Sequence, residues 1–411
     1  MKYSNLIINY VGIAIFGCLL LLFMDGLLPQ MQMTFLSGNI IIQSVAIKIV
    51  LFAGLILMLF LGKQQILTNE GLVGLAFLLC SMATLIWHVM SGSVSLSRGF
   101  YEYESTYALA FAVVMSFSIK GLIRNEQALK IIVIFAIAAS SLGVLQHLLG
   151  KPILSVAERG GDIIVWGWQY YGKVRAFGFN NTAAGFARFV TLALFVLLYS
   201  YQKHKALKFI VASLFIVAII FTLTRGIYMY FLLAAIFFAL FKHAKKARKA
   251  LIYYPLFSLL VGCIFIFIVP LLHDMFRFLG SIASDETMQI RYNEWRHWIN
   301  ILLTSNTNAL LGAGITQYGV TNTDTMIDNQ YLAIALQSGI FSLMLFILFF
   351  MLMWKYIIRA ANESPTAIRI AVASAFAPFT YAFLYENSAK DFYLMALFLI
   401  LIDVSKANKK Y

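Results

Sequence analysis

ALKFIVASLFIVAIIFTLTRGIYMYFLLAAIFFALF, residues 206–241, is nearly unbroken apolar sequence with one interruption, at Thr222-Leu223-Thr224-Arg225-Gly226. A helix crosses a bilayer core in about 20 residues, so this stretch is too long for one span and the right length for two. The reading places spans at roughly 206–223 and 226–241, with Gly226 easing a tight turn between them. Apolar runs of the same kind recur on both sides of the stretch, at roughly 6–24, 40–61, 71–90, 103–120, 128–149, 181–201, 251–271, 330–355, 367–385 and 389–404. Of the 411 residues 62% are hydrophobic and only 12% charged, with a mean hydropathy of +0.85. A soluble chain runs nearer 45–50% apolar and about 25% charged. A soluble enzyme, a disordered chain and a nucleic-acid module are thereby excluded. The expected fold is all-α, a polytopic membrane protein with about 12 transmembrane helices in a single integral domain over 1–411.

The net charge of +14 suggests nucleic acid until it is mapped onto the spans. With the N-terminus inside, the inner segments hold 19 Lys/Arg and 4 Asp/Glu, and the outer ones 10 Lys/Arg and 13 Asp/Glu; Lys48 and Arg188 fall within spans. The densest basic group is Lys242, Lys245, Lys246, Arg248 and Lys249. This is the positive-inside pattern, and it places both termini on the cytoplasmic side. Cys18, Cys80 and Cys263 all lie in apolar runs, without disulfide or zinc spacing. Ile15-Phe16-Gly17-Cys18 faintly echoes a lipoprotein cleavage site, but Phe16 is too bulky for one, so the first run reads as an uncleaved span.

Two outer loops are longer than turns, 150–180 and 272–329. In the second, which lies between the ninth and tenth spans, Met288, Tyr292, Trp295, Ile299 and Leu302 fall four, three, four and three apart. They trace one face of an amphipathic helix, and Trp295 and Trp298 suit a membrane interface. No inverted repeat of the transporter kind is visible.

Chemistry is sought where charge meets the outer face. Arg225 keeps its charge and offers a planar fork of donors that suits phosphate oxygens; the plain alternative is an arginine reaching lipid headgroups. Arg175 closes the first long loop in Lys173-Val174-Arg175-Ala176-Phe177-Gly178-Phe179-Asn180-Asn181, where a simple surface charge is the alternative. Arg188, two turns into the next span, needs a partner or an anion. Arg291 opens the amphipathic helix beside its apolar stripe, or pairs with Glu294. Asp328 stands where the second loop enters the tenth span; it is either a general base with a raised pKa or an ordinary N-cap. His273 and His297 show no metal-ligand spacing, His88 and His147 near the outer ends of spans read as packing or headgroup contacts, and Glu102, Glu104, Glu386 and Asp391 read as solvated flanks, with contact to sugar hydroxyls as the alternative. No metal, P-loop or dinucleotide signature is present, and no cofactor is expected. The arginines and the carboxylate together suit a lipid-anchored diphosphate substrate attacked by a hydroxyl. The arginines would clamp the leaving diphosphate, and the carboxylate would take the proton.

In their order, Thr224-Arg225-Gly226, Arg291 ahead of Trp295, Gly312-Ala313-Gly314, Asp328-Asn329-Gln330-Tyr331-Leu332 and Gly339 resemble the O-antigen ligase and O-antigen polymerase (Wzy-type) superfamily. The likeness is strongest over about 170–345. It implies a GT-C-like membrane glycosyltransferase of the bacterial inner membrane, working without a metal at the periplasmic face. Its donor would be an undecaprenyl-diphosphate-linked oligosaccharide. Arg175, Arg225 and Arg291 match positions expected to bind the diphosphate. Asp328 matches the catalytic histidine of a His-Asn-x-Tyr-Leu motif. The ligases keep that histidine, so its replacement leans the reading to a polymerase, whose acceptor is another lipid-linked repeat, over a ligase, whose acceptor is lipid A–core. A chain-length regulator is left open as a further partner. From other classes, a transporter or flippase and a purely structural membrane partner remain as alternatives.

Overall fold

Backbone placed in hydrocarbon has no water to bond, and a helix pairs its N–H and C=O groups within one segment. The computed structural model follows this constraint. It describes residues 2–23, 40–61, 68–118, 125–151, 153, 169–170, 172–180, 182–200, 205–243, 251–267, 286–314, 327, 329–363, 366–385 and 392–404. In chain order the helices are α1 (Lys2–Phe23), α2 (Ile40–Leu61), α3 (Asn69–Met90), α4 (Leu96–Ser116), α5 (Asn125–Leu149), α6 (Ala183–Ser200), α7 (Lys205–Ile220) and α8 (Arg225–His243). They continue as α9 (Tyr254–Phe267), α10 (Glu286–Leu303), α11 (Asn306–Leu311), α12 (Gln330–Glu363), α13 (Ala367–Phe376), α14 (Phe379–Tyr385) and α15 (Phe392–Val404). Among the described residues, each apolar run of the sequence coincides with helix. Asn69–Met90, Leu129–Leu149, Arg225–His243 and Gln330–Glu363 are long and apolar enough to cross a membrane; Tyr10–Phe23, Ala183–Tyr199 and Phe392–Ile402 are among the shorter apolar helices. Large apolar side chains such as Phe60, Met90, Ile134, Phe209 and Phe257 lie on the outside. A surface of that kind belongs in lipid. The chain is a multi-pass helical membrane protein.

The helices form two groups. In one, α1 packs on α2, α3 on α4, and α3 on α12; in the other, α5, α6, α7 and α8 pack on one another. Helices from the C-terminal part lie between them. Helix α13 packs on α6, α8 and α12, and α15 on α1, α4, α12 and α13. From Phe392 to Ile402 no side chain of α15 is more than 4% exposed. A helix apolar on every side is stable only when surrounded. Rings fill the junction: Phe350 stacks on Phe376 at 5.2 Å, and Phe376 meets Phe398 edge-on at 6.1 Å.

The charges inside this body have partners. Lys48 of α2 reaches Glu104 of α4 at 2.5 Å, so Glu104 is half of an ion pair and not the solvated flank expected from sequence. The Arg188 guanidinium lies over the rings of Tyr230, at 5.7 Å, and Phe379, at 5.4 Å. Arg369, which falls in a cytoplasmic turn in the sequence reading, is buried instead. It donates to Ile402 O at 3.1 Å and Ala360 O at 3.0 Å. These carbonyls lie near the C-terminal ends of α15 and α12, where orphaned carbonyls favour a cation. One departure from an all-helical reading is a two-stranded antiparallel ribbon, β1 (Gln169–Tyr170) with β2 (Lys173–Val174), turned at Gly172 with φ +74°.

Candidate functional site

Arg175 follows β2 on a strap, residues 174–180, that is fixed along its length. Val174 O lies 2.6 Å from His147 Nδ1. The buried Gln146 grips the next turn: its Oε1 accepts from Gly178 N at 3.0 Å and Phe177 N at 3.3 Å, and its Nε2 donates to Gly178 O at 2.9 Å. Gly178 has φ +55°, and a Cβ there would meet Ala139 O at 2.6 Å. At the far end, buried Asn180 donates to Tyr393 Oη at 3.0 Å and Phe23 O at 3.3 Å, and accepts from Thr182 N at 2.8 Å. The strap is thereby tied to the ends of α1, α5 and α15. Arg175 itself is half-buried.

The strap also holds the turn that leads to Arg225. Ala176 N donates to Phe221 O at 2.8 Å, and the Phe221 ring stacks on His147 at 4.1 Å. The turn is braced from within: Thr222 Oγ1 donates to Ile219 O at 2.6 Å, Thr224 Oγ1 to Thr222 O at 2.9 Å, and Tyr228 Oη to Ile220 O at 2.6 Å. The sequence reading gave the tight bend to Gly226, but the left-handed residue is Leu223, with φ +49°. Gly226 lies in the first turn of α8, with open space where a Cβ would be. A left-handed leucine is uncommon and strained, and such strain collects at functional turns. Arg225 is the first residue of α8 and exposed. A cation there works against the helix dipole. An anion near both the arginine and the positive end of the helix dipole turns that cost into a gain.

A second assembly surrounds a break in α12. Gly339 has φ 80° and ψ 176° and interrupts the helix. The carbonyl of Leu336, released by the break, accepts from Ala313 N at 2.7 Å and Gly314 N at 3.3 Å. Backbone meets backbone here. A Cβ on Gly312 would lie 2.7 Å from Leu336 O, and one on Gly339 would lie 1.9 Å from Leu310 O. Helix α11 and Gly312-Ala313-Gly314 are thus latched onto α12. Tyr107 of α4 supports the same region, donating to Gln337 Oε1 at 3.1 Å. Helix α10 packs on α11 and α12. Its Trp295 and Trp298 are buried, at 2% and 9%, Trp298 in one cluster with Leu302, Ile327 and Leu336. These tryptophans pack against protein, where the sequence reading placed them at a membrane interface. Arg291 lies on α10; its side chain is outside the described atoms.

Asp328 is outside the described residues. The N-cap of α12 is filled by Asn329, whose Oδ1 accepts from Leu332 N at 3.0 Å. The capping role weighed for Asp328 therefore passes to its neighbour. Asn329→Ala is expected to cost about 1 kcal/mol. Asp328→Asn is expected to leave stability unchanged, and thermal unfolding of the two purified variants checks the contrast. The next residue, Gln330, is buried, and neither amide atom has a partner among the described residues. A buried polar group left in that state invites a polar ligand.

A chain of contacts links the two assemblies. Asn180 bonds Tyr393, next to Phe392; Phe392 meets Phe346 at 6.4 Å, and Phe346 meets Tyr331 at 6.1 Å. The backbones carrying Arg175 and Arg225 are brought into direct contact. Arg291 sits on a helix packed against the latch.

Residues 209–347 match the family model described as O-antigen ligase. Over that stretch the chain is similar to the O-antigen ligase family. The matched O-antigen ligase region runs from α7 into α12, taking in Arg225, Arg291, both latch segments and Asp328; Arg175 and its strap lie before it. No curated protein matches the chain. Sequence reasoning did not single out Gln146, Asn180 and Asn329, which fix the strap and the start of α12. Gln146 carried a signal, being an amide near the end of an otherwise apolar run.

Proposed function

We propose that the protein is a glycosyltransferase that polymerises lipid-linked polysaccharide (O-antigen) repeat units. It moves the growing glycan from one undecaprenyl diphosphate to the terminal sugar of another lipid-linked repeat. The observation that carries this reading is the Ala176 N to Phe221 O bond of 2.8 Å, which joins two braced arginine-bearing segments within or beside an O-antigen ligase domain. Arg175, Arg225 and Arg291 hold the diphosphate and stabilise the charge that develops as it leaves. The acceptor oxygen forms a bond to the anomeric carbon as the bond from that carbon to the diphosphate oxygen breaks. Direct displacement inverts the anomeric centre. Asp328 either takes the hydroxyl proton or orients the attacking sugar.

The reading includes a GT-C-like arrangement of about 12 spans in a bacterial inner membrane, with both termini cytoplasmic and the 150–180 and 272–329 loops periplasmic. The replacement of the motif histidine by Asp328 favours a polymerase over a ligase acting on lipid A–core. A transporter or flippase asks for charges lining a path. Here Lys48 is paired, Arg188 lies over two aromatic rings and Arg369 binds carbonyls near two helix ends.

Reconstitution in liposomes with a lipid-linked repeat tests the reading. Expected are a ladder of longer glycans on a gel and release of undecaprenyl diphosphate; repeat units that cross the bilayer with no new glycosidic bond would sink it. Gene deletion separates polymerase from ligase. Loss of a polymerase leaves core bearing a single repeat, whereas loss of a ligase leaves bare core and stranded lipid-linked polymer.

A further inference from the structure

His147 stands in the last turn of α5, and the mechanism above gives it no role. It touches both arginine-bearing segments. Its Nδ1 lies 2.6 Å from the carbonyl oxygen of Val174, the residue before Arg175 on the strap. A carbonyl oxygen only accepts, so Nδ1 carries the hydrogen and donates it. The face of the imidazole stacks on the Phe221 ring, with centroids 4.1 Å apart and planes 27° apart. Phe221 belongs to the braced turn that leads into Arg225.

These contacts close a triangle. One side is the bond of 2.8 Å from Ala176 N on the strap to Phe221 O on the turn. The other two sides run from His147 to each segment. A lone hydrogen bond fixes a distance and leaves the angle about it soft; two more contacts from a third body fix the angle as well. That body is itself held, because the neighbouring Gln146 accepts from Phe177 N and Gly178 N. Val174 and Ala176 are buried on either side of the half-buried Arg175, so the strap cannot roll without exposing them.

One phosphate group is satisfied by a single guanidinium fork. Two linked phosphates gain from a second fork only when both forks are already in place, because ordering a loose segment on binding cancels the gain. We propose that His147 is a positioning residue that gives the site its preference for a lipid diphosphate over a lipid monophosphate. It does so by holding the strap of Arg175 in register with the turn of Arg225. The inference rests on the glycan-transfer reading, in which these arginines hold the diphosphate. A carrier stripped to one phosphate then competes poorly for the donor's place.

The test measures Kd for undecaprenyl diphosphate and for undecaprenyl monophosphate on the full-length protein in detergent. Wild type is compared with His147→Ala and His147→Asn; asparagine restores an amide donor near the place of Nδ1. Wild type is expected to prefer the diphosphate. In His147→Ala that preference should fall by about tenfold or more, the scale of one hydrogen bond to a charged group, with monophosphate binding within about threefold of wild type. His147→Asn should regain part of the preference. An equal loss of both lipids in the alanine variant overturns the role and makes His147 structural only. An asparagine variant no better than alanine overturns the Val174 bond as the source of the effect. A wild-type protein that binds both lipids alike overturns the diphosphate reading, and this proposal with it. A selective wild type beside an equally selective alanine variant overturns the role of His147 alone.

Discussion

Gly339→Ala is expected to detach α11 from α12 and to abolish polymer formation. Two costs add at this position. The backbone, at φ 80° and ψ 176°, lies in a region open essentially to glycine, which alone is worth about 1–3 kcal/mol. The new methyl carbon would also sit 1.9 Å from Leu310 O, so α11 must move away. Moving it breaks the bonds from Ala313 N and Gly314 N to Leu336 O and leaves that carbonyl unpaired beside apolar chains. A loss of at least about 3 kcal/mol is expected. Thermal unfolding in detergent reads the stability loss. Limited proteolysis within 306–314 reads the detachment specifically, because α11 should become cleavable before the bundle unfolds. A Gly339→Ala protein with a wild-type melting point and an uncut α11 would refute the latch.

The second large effect is expected at Arg225. Arg225→Ala should lower the polymerisation rate by about 10²–10³-fold, the usual cost of removing one group that stabilises developing anionic charge. Arg225→Lys should recover only part of that rate, because a point charge cannot reproduce a planar fork against diphosphate oxygens. Neither change should alter folding much, since Arg225 is exposed and the turn before it is braced by Thr222, Thr224 and Tyr228. Initial rates with purified lipid-linked repeat, measured beside thermal unfolding, decide the matter. If the lysine variant matches wild type, the arginine is serving as a generic contact to lipid headgroups.

Helix was legible wherever the sequence ran apolar, because a span has one way to satisfy its backbone in lipid. The interruption at 222–226 was legible too, but its mechanics were not. Sequence logic gives a tight bend to the nearest glycine, whereas here the surrounding hydrogen bonds hold Leu223 left-handed and leave Gly226 in the helix. The tryptophans of α10 show a similar limit. A stripe at helical spacing records that a face is apolar, not whether lipid or protein covers it. Asp328 and Asn329 are both good capping residues, so only hydrogen-bond geometry could choose between them. Gln146 and Asn180 act through contacts with residues distant in sequence, and no local pattern announces those. The glycines of 312–314 and 339 were picked out by their order within a resemblance; the reason for glycine, two backbones in contact, emerged only from the packing.

The burial of α15 on all sides has a consequence for biogenesis. A ribosome delivers helices in chain order, so the helices that surround α15 enter the membrane before it does. Until Phe392–Ile402 arrives, its future neighbours on α1, α4, α12 and α13 present faces to lipid that the finished protein hides. Completion of this packing therefore waits on a segment that follows all of these neighbours in the chain.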